Sequence, residues 1–180
     1  IRTARQEASQ KLAEARLERY APEIDVREVQ QLLAAPGQRG AGEWAAGRPS
    51  LPQLTLLLRS AAQVPAVLGS DAALVILDFE YGKDYAPTVA QLKAAGHRVG
   101  IATTRIHKPR ENAHLLHISR LEPDAVLIRN LGALEYFGRL SSRLAESQRY
   151  ELIGDFSLNV TNHLTLDWLI QRGLSRVVPS

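Results

Sequence analysis

The chain has 180 residues, 45% of them hydrophobic, enough for one domain with a real core. Its 22 basic and 19 acidic residues leave a net charge of +3, and the pI near 9.4 reflects scattered arginines rather than a basic tract, so general nucleic-acid affinity is not demanded. The absence of cysteine excludes disulfides, thiolate nucleophiles and cysteine-held clusters within these residues.

No apolar run reaches the length of a membrane span, and the arginine-dotted amino end lacks a signal-peptide core, so a soluble, cytoplasmic protein with no membrane partner is expected. Methionine is missing even at position 1. That fits either an excised segment or a sequence from which modified residues are absent.

Residues 1–50 read as a helical arm followed by a Gly/Pro linker. Ile1 to Tyr20 is rich in Ala, Arg, Glu and Leu, with Glu14 and Glu18 placed to pair with arginines, and reads as a mostly solvated helix. Pro22 ends it. A second short helix is expected from Asp25, a good N-cap, through Val29, Leu32 and Leu33 to Gly37. The glycines and prolines from Pro36 to Pro52 mark the linker, and its Trp44 reads as a docking anchor.

Residues 51–180 repeat one unit. Apolar, β-branched runs recur at Leu54 to Leu58, Ala73 to Leu77, Val99 to Ala102, Ala125 to Ile128, Glu151 to Ile153 and Arg176 to Val178. Each of the first five is followed by a helix-like segment, such as Val89, Leu92, Ala95 or Leu164, Trp168, and this alternation predicts an α/β fold with a parallel sheet. Gly96 and Gly173 sit where carboxy-terminal helix caps belong. Strand spacing of roughly 20 to 26 residues suits a (β/α)8 TIM-type barrel as well as an open doubly wound sheet. The chain stops inside the sixth run, where a closed barrel needs about two more units. The expectation is therefore a truncated barrel of five to six βα units, its remainder missing or supplied by a partner.

In a parallel sheet the carboxy ends of the strands share one face, so the residues just after each apolar run are read together. They are Arg59; Asp78 and Glu80; Thr104 and Arg105; Arg129 and Asn130; then Asp155, Ser157 and Asn159. Three arginines at three strand ends either clamp a carboxylate or phosphate or pair with Asp78, Glu80 and Asp155 to fill the mouth. Asp78 and Glu80, two apart in an extended segment, are expected on one side, with salt-bridge pairing favoured over metal binding.

His107, His114 and His117 complete no zinc pattern and read as residues of a solvated helix, so no metal site is expected. Thr161 and Asn162 compete for the cap of the last helix, and His163 opens that helix. Ser157 lacks the Gly-x-Ser-x-Gly surroundings of a nucleophile, there is no Gly-rich phosphate loop, and no catalytic residue is assigned.

The segment Gly154-Asp155-Phe156-Ser157-Leu158-Asn159-Val160-Thr161-Asn162 follows one of these runs and opens a helix. It resembles, with one Phe for Tyr exchange, the strand-end signature of the collagenase-like peptidases of family U-32. Val126 to Gly132 and the final Arg176-Val177-Val178-Pro179-Ser180 are similar to neighbouring strands of that family, so the likeness covers most of residues 70–180. Leu77 to Glu80 and Thr103 to Pro109 are similar to loops of its larger members.

The resemblance favours the barrel and implies a parent enzyme, a hydrolase acting as a protease or a hydroxylase of RNA or of a quinone precursor. It also implies an iron-sulfur cluster held by cysteines outside this segment. Substrate contacts are then expected from Arg59, Asp78, Glu80, Arg105, Arg129, Asn130, Asp155, Ser157, Asn159 and Asn162. The expected partners are an RNA or peptide substrate, and either the missing remainder of the barrel or a second copy. The alternative is a noncatalytic RNA-docking or assembly module.

Overall fold

The computed structural model describes residues 2–20, 27, 31, 53–108 and 110–180. The chain divides into two units, Ile1–Pro36 and Gly37–Ser180. In the first, helix α1 runs from Arg2 to Tyr20, and the side chains described there, residues 6–15, are all exposed as expected of a solvated helix. Glu14 accepts a hydrogen bond from Gln10, and the arginine side chains it was expected to pair with lie outside those described. The second short helix is described only at residues 27 and 31, both helical; the rest of it, the linker and Trp44 lie outside the described residues.

The second unit is built on six parallel strands: β1 (Thr55–Leu58), β2 (Leu74–Leu77), β3 (Val99–Ala102), β4 (Ala125–Ile128), β5 (Glu151–Gly154) and β6 (Arg176–Val177). Helices α2 (Tyr85–Ala94), α3 (Asn112–Arg120), α4 (Leu131–Ser141) and α5 (His163–Ile170) alternate with them. The strands pair in their order along the chain, β1 to β6, with no reversal.

This order decides between the two architectures that the spacing allows. A doubly wound sheet reverses direction at a switch point and carries helices on both faces; neither happens here. Val75, Leu77, Val99, Ile101, Val126, Ile128 and Leu152 pack with Val89, Leu92, Leu115, Ile118, Leu134, Phe137 and Leu169 of the helices into one buried cluster. The alternate strand residues Leu74, Ile76, Ala102, Ala125, Leu127 and Ile153 form a second cluster with no helix among them. A sheet covered by helices on one face only, and burying the other face against itself, is curled, and the six strands make a half-barrel of (β/α)8 type.

Local signals place the elements. Gly96 and Gly173 adopt φ of +84° and +102°, left-handed positions at helix ends that glycine takes without steric cost. Asn162 is the N-cap of α5, its side chain accepting from the Thr165 N–H at 2.9 Å, so it and not Thr161 holds the cap. Gly154 closes β5 where a Cβ would lie 2.9 Å from the Leu174 side chain and 3.1 Å from both Leu158 and Val177. Any larger residue there would force three packed side chains to move.

Candidate functional site

Side chains alternate across a strand. Continuing the inward positions past the ends of β1, β2, β4 and β5 places Arg59, Asp78, Arg129 and Asp155 together at the carboxy end of the half-barrel. Arg129 is the centre of this cluster. Its Nη2 donates to Asp78 Oδ2 at 2.9 Å and its Nε to Asp155 Oδ2 at 3.1 Å. Arg59 Nη1 donates to the same Asp78 Oδ2. The side chains of Arg129, Asp155 and Asp78 are 9%, 8% and 15% exposed, against 67% for Arg59. Burial alone would lower the Arg129 pKa, but the two carboxylates outweigh it and the guanidinium titrates above its ordinary value.

The neighbouring backbone is tied to the cluster. Ser157 Oγ lies 3.1 Å from the Arg129 carbonyl and 3.2 Å from Asp155 Oδ2, so its single proton is committed to one or the other. Asn130 caps α4, accepting from the Ala133 N–H at 2.8 Å, and its amide donates to the Thr104 carbonyl at 2.7 Å. Asn159 has φ 53° and ψ 50° at the end of the short 3-10 turn Phe156–Leu158, a left-handed position that asparagine tolerates better than most residues.

Two positioning groups had not been singled out in the sequence. Thr103 is buried; its hydroxyl accepts the Arg129 N–H at 3.0 Å and lies 3.2 Å from the Leu127 carbonyl it donates to. The signal for it was a polar residue directly after the Val99–Ala102 run. Tyr85 Oη both accepts from the Phe79 N–H and donates to the Phe79 carbonyl, each at 2.9 Å, fixing the turn after Asp78. Burial pushes the Tyr85 pKa up. Nothing local marked this tyrosine, because its partner is a backbone turn.

The ten expected site residues thus separate. Asp78, Arg129, Asp155 and Ser157 are brought into one network, with Arg59 at its solvent side and Asn130 beside it. Glu80 stands apart: β2 ends at Leu77, the chain bends, and Glu80 is exposed while Asp78 is drawn inward. Asn159 and Asn162 serve turn and cap. Arg105 is exposed and lies over the Phe156 ring at 4.7 Å, and no carboxylate among the described residues pairs with it.

The histidines also depart from the solvated-helix reading. His107, His114 and His117 are half-buried, and Nε2 of His107 and of His117 is buried without a hydrogen-bond partner. Burial, reinforced by His117 and His107, holds the His114 pKa below its usual 6.5. His114 and His117 flank Leu115 and Ile118, which anchor α3 to the sheet, so this edge of the helix turns partly inward, while His107 lies in the loop after β3. Among the described residues, no group of three or more His, Cys, Asp or Glu is placed to hold a metal ion.

Fold and site together define a parallel βα half-barrel whose strand ends converge on a buried arginine-carboxylate network. No protein-family model matches the chain, and a search of curated proteins finds no match. Among the described residues, no helix is long and apolar enough to cross a membrane.

Proposed function

We propose that the chain is the barrel segment of a cytoplasmic, collagenase-like protein of peptidase family U-32, and that its strand-end face binds a polar or anionic substrate. The observation that carries the reading is the position of Asp155 and Ser157. Both belong to the Gly154 to Asn162 segment, and both close on Arg129 at the carboxy end of β5, the end at which parallel βα proteins take their ligands.

Arg129 is neutralised by two carboxylates and acts as a positioning residue. The groups that meet the substrate are Arg59, which gives one donor to Asp78 and is otherwise largely exposed, and Arg105, with which no carboxylate among the described residues pairs. Exposed guanidinium forks of this kind recognise carboxylate and phosphate oxygens in pairs. The iron-sulfur cluster that the family implies finds no cysteine ligand in this chain, so its cysteines would lie outside this segment. The proteolysis or hydroxylation that the likeness suggests belongs to the whole protein, and these residues contribute binding.

Titration calorimetry with citrate and with pyrophosphate tests the reading. Saturable binding is expected for at least one anion, weakening about tenfold or more in Arg59→Ala and in Arg105→Ala and falling as salt is raised. Absence of binding by both anions, or full binding by both variants, would end this reading.

A further inference from the structure

Beside the strand-end network, the outer surface of α4 and α5 carries a groove of about 320 Å³. Leu131, Leu134 and Gly138 of α4, spaced three to four apart, line one side with Arg139, and Trp168 and Arg172 at the end of α5 line the other. The helix pair buries Leu134, Phe137 and Leu169 in the core, yet leaves Leu131 and Trp168 exposed. Gly138 has no side chain to block the groove, and the nearest atom to a Cβ there would be the Arg172 carbonyl at 3.7 Å.

The charge of the groove is as informative as its shape. Arg139 pairs with Glu135 at 2.5 Å. Arg172 pairs with no carboxylate among the described residues; its guanidinium lies 3.4 Å from the centre of the Trp168 ring, and its Nη1 donates to the Trp168 carbonyl at 3.3 Å. A tryptophan held flat by an arginine is a rigid apolar plate with a cation attached, and Trp and Arg are the residues that dominate binding energy at protein interfaces. The two arginines and one glutamate leave one positive charge to be met.

We propose that this groove is a docking site for an acidic amphipathic helix of a partner protein. The helix lays an apolar residue between Leu131 and Trp168 and sets a carboxylate on Arg172. A groove between two helices accepts a third helix by the ridge-and-groove packing that helices use generally, and the unmet charge of Arg172 selects acidic over basic sequences. Leu131 and Trp168 also line a pocket shared with Arg105, Arg129 and Ser157, so the groove borders the strand-end site, and Arg172, which lines the groove and not that pocket, tells the two apart.

The test uses the full chain and two fluorescein-labelled peptides of about 14 residues, roughly four helical turns, with leucines at helical spacing. One carries glutamate at every other position, the second lysine in its place. Fluorescence anisotropy should show saturable binding of the glutamate peptide and none of the lysine peptide. Trp168→Ala and Arg172→Glu should each weaken binding about tenfold or more, and Arg59→Ala should leave it unchanged. Leu131→Glu, at an exposed position that does not support the core, should weaken it equally with an unchanged thermal midpoint.

Several outcomes would overturn the proposal: no saturable binding, equal binding of both peptides, or variants that bind as well as the unaltered chain. It would be overturned too if oligouridylate bound this groove more tightly than the glutamate peptide, making it a nucleic-acid surface. Self-association in sedimentation that Leu131→Glu abolishes would assign the groove to a second copy instead.

Discussion

At the carboxy end of the sheet one arginine, Arg129, lies between two carboxylates, Asp78 and Asp155. At the amino end one carboxylate, Glu151, lies between two arginines, with Arg98 Nη2 at 2.8 Å and Arg176 Nε at 3.1 Å. The groups are the same but their surroundings are not. Arg129 and Asp155 are nearly closed to solvent, whereas Glu151 is 22% exposed and its arginines are 54% and 43% exposed. Water screens the amino-end cluster, so its pairs contribute little. At the carboxy end each charge depends on its partner, because removing one leaves the other desolvated and unmatched.

The difference also explains why the upper cluster organises a site. Through Ser157, Thr103 and the Arg129 backbone it fixes three loops relative to one another. The lower cluster ties strand starts whose hydrogen bonds already hold them, as Glu151 N–H bonds to the Asp124 carbonyl and Ser175 N–H to the Leu152 carbonyl.

Arg129→Ala is the strongest way to break this comparison. It strands two carboxylates in a poorly solvated mouth, and a loss of about 3–5 kcal/mol in denaturant-derived stability is expected. A loss below about 1 kcal/mol would make the two ends equivalent. Asp155→Asn is milder, since Arg129 keeps Asp78 and the amide still accepts from Ser157, and should cost about 1–3 kcal/mol by the same measurement. An unchanged midpoint would show that Asp155 is not coupled to Arg129.

Glu151→Gln at the opposite end should change stability by about 1 kcal/mol or less, and the change should shrink further in high salt. A cost matching that of Asp155→Asn would remove burial as the deciding variable.

The smallest expected effect tests a third environment, the half-buried edge of α3. His114 has a folded pKa below its ordinary 6.5, so the unfolded chain takes up the proton first. Its stability contribution is intact above pH 6.5 and is lost as pH falls through the folded value. Thermal midpoints between pH 8 and 5 should fall on acidification, and His114→Gln should flatten that slope. An identical slope in the variant would assign the pH dependence to other groups.

Local pattern was enough for the elements. The six strands lie where the apolar runs were read, with no end differing by more than one residue, because a buried parallel strand announces itself by continuous branched residues bounded by turns. Gly96 and Gly173 were legible for the same reason, since the left-handed cap is a property of one residue. The alternation also anticipated Arg59, Asp78, Arg129 and Asp155 at one end of the sheet. It did not bring Glu80 into the network, because that residue is exposed at a bend after Phe79. The solvated reading of His114 and His117 failed because helix spacing alone does not say how far the buried face extends, and that of His107 failed because it sits in a loop and not on the helix.

The sequence by itself determined that this chain makes parallel βα units and that charged residues follow the strands, because both depend on neighbours within a few positions. Tertiary structure alone decided that the sheet runs β1 to β6 without reversal and curls into a half-barrel, because open and closed sheets share one local pattern. It alone decided that Arg129 takes Asp78 and Asp155 while Arg105 takes the Phe156 ring. These partners come from different strands and loops, and which of them meet, and how much water remains between them, is set by strand order and stagger, which no local window of residues contains.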